Sequence, residues 1–265
     1  MLASAAAFSV LRSRAAVLEE LRRLLPSLEG APPLAALPFG LPAIDRHLPQ
    51  GGLACGALHE IVPEAGGAAS AFGFIVALLA RLSPQGGRDK IFFILPNYGL
   101  GRHGRLYGHG LRALGLDTAG AILVETAQRK DTLWAIEEAL RSRAVAAVAA
   151  TIDKLDLKTS QRLQLAALET ARPLFLLRGA EMLEASAAAT RWRVGAAGAA
   201  RDRFGLIAHP RWHLLLERCR NGRAGEWMVE YDHVAHRFSL AAALADPAFF
   251  RSTGEKSEKF RAATY

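Results

Sequence analysis

The segment HEIVPEAGGAASAFGF, residues 59 to 74, has the layout of a phosphate-binding loop without the residue types that do phosphate chemistry. A P-loop follows G-x-x-x-x-G-K-[ST]: its backbone and lysine hold phosphates, and its hydroxyl holds Mg²⁺. On that pattern Val62 replaces the first glycine, Ala68 the lysine and Ala69 the hydroxyl residue, whereas the second glycine is kept. The sequence therefore predicts a degenerate P-loop built on Val62, Gly66, Gly67, Ala68 and Ala69.

A second group of residues able to bind a charged partner lies between positions 191 and 223. This segment holds eight arginines and no lysine against two acids, a local charge of +6 in a chain of net charge +8. Arginine binds phosphate through two parallel hydrogen bonds, and aromatics beside it suit stacking on unpaired bases. The segment predicts a single-stranded DNA contact, in a mobile small-residue loop around Trp192 and Phe204; a solvated basic surface is the alternative. The candidates are Arg191, Arg193, Arg201, Arg203, Arg211, Arg218 and Arg220.

Two further patterns are weaker. Gly99, Gly101 and Gly104 match a dinucleotide fingerprint, but Pro96-Asn97-Tyr98 separate them from the preceding strand, which favours a plain glycine loop. The histidines that follow Asp232 have no third ligand nearby, so the sequence predicts no metal site. We also expect no cofactor.

Composition limits the class of protein. The chain has 265 residues, 51% hydrophobic and 22% charged, which suits a globular protein with a full core. No apolar run reaches the length of a membrane span, so we expect no membrane contact. The two cysteines lie far apart, which fits the reducing cytoplasm.

The elements that must position these residues alternate between strands and helices, which predicts an α/β fold with a mostly parallel central sheet flanked by helices. Two strands joined around Asn221-Gly222 predict an antiparallel hairpin at the C-terminal edge. The expected strands are residues 57–62, 90–96, 121–126, 144–151 and 173–178, and the expected helices are 69–82, 102–114, 131–142 and 158–170.

The predicted core domain covers residues 38–240. Residues 1–37 are expected to form an N-terminal helix and a Pro-rich linker, and residues 241–265 a tail. The N-terminal helix carries an apolar stripe that predicts an interface, with packing onto its own domain as the alternative. The stripe consists of Leu18, Leu21, Leu25 and Leu28.

The order of these segments resembles the core of RecA recombinases. PFGLPAIDRHLPQGGLACGALHEI resembles the entry to that core, and VPEAGGAAS aligns with the RecA P-loop GPESSGKTT. AVAAVAAT takes the place of the Walker B strand. From Pro38 to Phe238, with this degenerate loop, the chain resembles the ImuA family, RecA-like proteins of bacterial SOS mutagenesis cassettes.

The resemblance implies that two more catalytic groups are lost. The Walker B aspartate corresponds to Thr151, and the carboxylate that orients water corresponds to Asn97. With Ala68 and Ala69 as well, four groups that bind phosphate, Mg²⁺ or water are absent together, so we expect a pseudo-ATPase.

The function implied by the resemblance is that of a non-catalytic adaptor in DNA-damage-induced, error-prone translesion synthesis. The implied partners are an ImuB-like inactive Y-family polymerase protein and an error-prone C-family DNA polymerase. Single-stranded DNA, RecA and a second copy of the chain are further candidates. The alternatives are an atypical nucleotide-binding enzyme and an inhibitor of cell division similar to SulA.

Overall fold

The structure is a computed structural model that describes residues 35–82, 90–97, 104–180, 184–201 and 204–241. The leucine stripe at 18, 21, 25 and 28, the tail, Gly99, Gly101, Arg203 and the side chain of Arg201 lie outside the described part. None of the helices within these ranges is both long and apolar enough to cross a membrane.

Eleven strands and five α-helices are present in the described ranges. The strands are β1 Ala36–Leu37, β2 Leu53–Ala54, β3 Leu58–Pro63, β4 Lys90–Pro96, β5 Ala121–Thr126, β6 Val145–Thr151, β7 Leu174–Leu177, β8 Thr190–Arg201, β9 Ile207–Cys219, β10 Gly225–Asp232 and β11 Arg237–Leu240. The helices are α1 Pro42–Asp45, α2 Ala68–Leu79, α3 Gly108–Ala113, α4 Arg129–Arg141 and α5 Leu157–Thr170.

Nine of the strands form one sheet in the order β11-β10-β9-β8-β3-β7-β6-β4-β5. Pairing is parallel from β8 through β5 and antiparallel from β8 through β11. The predicted fold class is confirmed, including the hairpin of β9 and β10 near the C-terminal edge. The arrangement is consistent with a RecA-like core, and the carboxyl ends of its parallel strands share one edge, where α/β proteins place their sites.

The sheet has an apolar core on each face. On one face α2 packs in a core that includes Phe39, Phe74 and Trp192. On the other face α4 and α5 cover β6, through Ile136, Leu163 and their neighbours. Both helices follow strands that are buried on both sides, and α5 begins at Asp156, whose carboxylate accepts the Thr159 N–H at 2.9 Å.

The structure corrects the sequence prediction at three places. The segment expected to be a mobile loop is strand β8, paired with β3 on one side and β9 on the other. Residues 36 and 37, assigned to the linker, pair with β2, and Leu37 is buried. Of the helix expected over 102–114, the described part contains only α3. Small residues and prolines predicted loops here, but pairing with neighbouring strands decides the backbone.

Candidate functional site

The P-loop position lies between β3 and α2, at the carboxyl edge of the sheet. Here β3 does not curl away after Ile61: Val62 and Pro63 stay in the strand and pair with Arg193 and Val194 of β8. Val62 is fully buried, as its apolar side chain requires. The first part of the loop motif is therefore ordinary β-structure and cannot wrap around a phosphate in this conformation.

The rest of the loop is a tight turn. The Gly67 N–H donates to the Glu64 carbonyl at 2.8 Å, and Gly66 sits at φ 76°, the left-handed position that favours glycine. Gly67 then caps α2, and its carbonyl accepts the Ala71 N–H at 2.9 Å. The two glycines thus serve a strand-to-helix turn, and one N–H of the motif is already satisfied within it.

A carboxylate from this turn reaches the neighbouring strands. Glu64 Oε1 lies 2.7 Å from His213 Nδ1, and the other ring nitrogen of His213 lies 2.7 Å from Glu226 Oε1. Gly195 of β8 lies below Glu64, and a Cβ there would collide with the carboxylate. Burial lowers the pKa of His213, but its hydrogen bonds to the two glutamates outweigh burial, so the pKa is raised.

The other two positions expected to have lost catalytic groups lie on the same edge. Thr151 ends β6, and its hydroxyl is buried without a hydrogen-bond partner among the described residues. Asn97 follows β4, is exposed, and accepts a hydrogen bond from Arg105 through its carbonyl at 3.3 Å. Thr151, Asn97 and the β3–α2 turn therefore occupy the ends of β6, β4 and β3, the places that a nucleotide site on this fold would use. Neither Thr151 nor Asn97 carries a carboxylate.

A buried ion cluster lies behind the turn, and the sequence analysis did not identify it. Arg178 Nη1 lies 2.7 Å from Glu60 Oε1, and both side chains are fully buried. Arg191 reaches the other oxygen of Glu60 at 2.8 Å, and Glu184 lies 3.9 Å from Arg178. The signal was a charged residue inside or directly after an apolar strand, as in LHEIV and PLFLLR. Buried charges of this kind have to be paired.

The arginines predicted to bind DNA have structural partners. Arg193 pairs with Glu217 at 2.5 Å and Arg211 with Glu230 at 3.3 Å, both across neighbouring strands of the sheet. Arg218 and Arg220 donate to the carbonyls of residues 186 and 187, each at 2.6 Å, and tie down the segment before β8. With Arg191 bound to Glu60, each of these five side chains has a partner within the protein. DNA binding stays a prediction.

The aromatic part of that prediction needs a correction. Trp192 is fully buried and packs against Phe39 at a ring-centroid distance of 5.3 Å, so it is not available to stack on a base. Its indole N–H donates to Thr190, whose hydroxyl also contacts buried His59. Phe204 remains exposed.

The Asp232 region is a turn. The Asp232 carboxylate accepts the backbone N–H groups of Val234 and Ala235, and these bonds lower its pKa. The described residues contain no cluster of three metal-ligating side chains. Chemically, the carboxyl edge offers hydrogen-bonding and acidic groups around a closed turn, and no described lysine or arginine occupies the P-loop lysine position.

Comparison with known proteins shows a clear relationship. Protein ImuA from two strains of Caulobacter vibrioides, NA1000 and CB 15, is 34% identical over 234 residues, which is 81% of this chain and 92% of each relative. No protein-family model matches the chain.

Proposed function

This chain belongs to the ImuA family, and from that premise we propose that it is a non-catalytic accessory protein of SOS-induced, error-prone translesion DNA synthesis. Family membership supports a role in the ImuA-type mutagenesis cassette. The adaptor role, the absence of ATPase activity and the partners are the proposed parts.

The observation that carries the proposal is the path of the chain from β3 to α2. A phosphate site at a helix N-terminus needs a loop whose N–H groups point at the anion. In this protein Val62 and Pro63 are paired with β8, the Gly67 N–H is used by Glu64, and Ala68 and Ala69 supply no charge or hydroxyl. Removing one electrostatic group costs an ATPase a few kcal/mol of transition-state stabilisation. Here the loss extends over the loop and the ends of two other strands.

The proposed partners are an ImuB-like inactive Y-family polymerase protein and an error-prone C-family DNA polymerase, both in the cytoplasm. A RecA-like core that has lost its nucleotide chemistry keeps a large rigid surface, and an adaptor uses such a surface to hold other proteins. Direct contact with single-stranded DNA, RecA or a second copy is a separate part of the proposal.

Two measurements test the function. The first is thermal unfolding of the full chain with and without millimolar ATP-Mg²⁺, with a hydrolysis assay alongside. We expect no shift and no hydrolysis, because binding with a low-micromolar Kd would stabilise the fold by a few kcal/mol at that concentration. Tight binding or turnover would favour the atypical nucleotide-binding enzyme instead.

The second measurement is co-purification from DNA-damaged cells. We expect the two polymerase-type partners to be retained by the tagged full chain. Retention of the cell-division GTPase in their place would favour the inhibitor similar to SulA, and retention of none of these would contradict the adaptor proposal.

A further inference from the structure

Helices α4 and α5 form a continuous outer layer on one face of the sheet. Arg129 at the start of α4 lies 3.3 Å from Asp156 at the start of α5, and Arg162 lies 2.6 Å from Glu137 farther along. The two helices therefore run side by side in the same direction, with their amino ends together. Their inner sides are already committed to the core through residues such as Ile136 and Leu163.

The outer side of this layer carries large apolar side chains that the core does not use. Trp134 is 67% exposed, and Leu157, Leu165 and Leu168 are 45%, 56% and 46% exposed. At 100° per residue the three leucines fall within an arc of about 80° on α5. Trp134 lies one turn from Glu137 and Leu165 one turn from Arg162, so the apolar groups flank the Glu137–Arg162 ion pair. An exposed tryptophan beside leucines and a polar pair has the composition of an interface centre.

The charges around this layer are unevenly distributed. The arginines of the layer bind carboxylates of the layer itself: Arg129 with Asp156, Arg141 with Glu138, and Arg162 with Glu137. Lys130, Lys154 and Lys158 are exposed at the amino ends, and within the described ranges none has a carboxylate within 4 Å. The positive ends of two helix dipoles add to this charge. A second copy would bring the same lysines together, which disfavours self-association through this face.

We propose that the α4–α5 face, defined by Trp134, Leu157, Leu165, Leu168 and the three lysines, binds an acidic amphipathic helix of another protein. Leucine or phenylalanine side chains of that helix cover Trp134 and the leucines, and its carboxylates lie next to Lys130, Lys154 and Lys158. Nucleic acid would be attracted by the lysines but would gain nothing from covering three leucines. The face does not depend on the β3–α2 turn, so this proposal and the proposed lack of nucleotide chemistry fail or succeed separately.

The probe is a fluorescein-labelled peptide of about 18 residues, long enough to form a helix, with leucines on one side and glutamates on the other. A matched peptide carries lysines in place of the glutamates. We expect the full chain to bind the acidic peptide roughly tenfold or more tighter than the lysine peptide, with an affinity that falls as salt rises. Trp134→Ala and Leu165→Glu should each weaken binding roughly tenfold or more. Changing the three lysines to glutamate should also abolish the preference for the acidic peptide.

Tyr107→Ala is the matched control, since Tyr107 is 69% exposed but lies outside this layer, before α3; it should leave binding unchanged. Tryptophan fluorescence gives a local readout, because Trp192 and Trp212 are 0% and 4% exposed and iodide reaches Trp134 far more easily. The acidic peptide should protect this fluorescence from quenching, and Trp134→Phe should remove the protected part.

Three results would overturn the proposal. They are no binding of the acidic peptide, equal binding by Trp134→Ala, and a change of the chain from dimer to monomer on Trp134→Ala. Binding of a dT oligonucleotide that the lysine changes abolish and Trp134→Ala leaves intact, with no peptide binding, would assign the face to nucleic acid.

Discussion

Arg178 at the end of β7 and Glu60 in the middle of β3 form an ion pair, with Nη1 and Oε1 2.7 Å apart and both side chains fully buried. Burial lowers the pKa of Arg178, while the charges of Glu60 and Glu184 raise it part of the way back. Arg191 of β8 shares Glu60, so one carboxylate joins three adjacent strands directly behind the β3–α2 turn. The pair fixes the place where a nucleotide site on this fold would have to move.

Glu60→Gln should destabilise the protein by about 3–5 kcal/mol, because it leaves a buried guanidinium without its carboxylate. Urea unfolding measures the change. Glu60→Gln combined with Arg178→Met should cost less than the sum of the single changes, since the uncompensated charge is removed as well. Arg162→Met is the control: it breaks a solvent-exposed pair and should cost under about 1 kcal/mol. Similar losses for Glu60→Gln and Arg162→Met would contradict the structural role of the cluster.

Restoring the catalytic residue types should not restore nucleotide binding. In Ala68→Lys/Ala69→Thr the lysine and hydroxyl return, but Val62 and Pro63 remain paired with β8 and the turn remains closed. We expect no ATP-Mg²⁺-dependent thermal shift in this double variant. Adding Val62→Gly is the informative next step, because it returns backbone freedom to the first loop position. Micromolar ATP binding by the double variant alone would show that the turn opens readily.

The parallel half of the sheet was predictable from sequence because its strands are short, apolar and separated by helices with their own periodicity. AILVET and KIFFILP match β5 and β4 at both ends. Strand β8 was not predictable in the same way, because GAAGAA has little strand preference of its own and is fixed by pairing with β9.

The candidate site was predictable in its residue types but not in its contacts. The sequence located the missing catalytic groups at Ala68, Ala69, Asn97 and Thr151. It could not show that Arg191 binds Glu60, or that Glu64 reaches His213, because these partners are 131 and 149 residues apart. Arginine-rich segments look alike in sequence whether their side chains face a ligand or a neighbouring carboxylate.

His59 should make the protein less stable as the pH falls from about 6.5 to 4. Its ring is fully buried between the Ala54 carbonyl and the Thr190 hydroxyl, and burial lowers its pKa to about 4. In this window the unfolded chain binds a proton that the folded protein does not, so about 3 kcal/mol of stability is lost by pH 4. The measurement is urea unfolding across this range for the parent and His59→Gln. The variant should show a flatter profile; parallel profiles would mean that His59 does not titrate as its environment requires.

His213 should act in the opposite direction. Its pKa is raised, so its contribution to stability is present at low pH and is lost as the pH rises through the folded-state pKa. Glu226→Gln should bring the pKa back down, as followed by NMR titration of the imidazole. Gly195→Ala should do the same by displacing the Glu64 carboxylate. Glu217→Gln, which removes a carboxylate on β9 that pairs with Arg193 instead, is the control and should leave the His213 titration unchanged.

Single-stranded DNA binding, if it uses the arginines of β8 and the segment that follows, should depend on Arg193, Arg201 and Arg203 and not on Arg191. Arg191→Ala should instead destabilise the fold, because Arg191 compensates Glu60. We expect the triple alanine variant at 193, 201 and 203 to bind a dT oligonucleotide more weakly. The slope of log K against log salt should fall by about 0.7 for each phosphate that an arginine no longer neutralises. Glu217→Gln frees Arg193 from its carboxylate and should strengthen binding. Unchanged affinity and slope in both variants would show that these arginines serve only to hold the strands together.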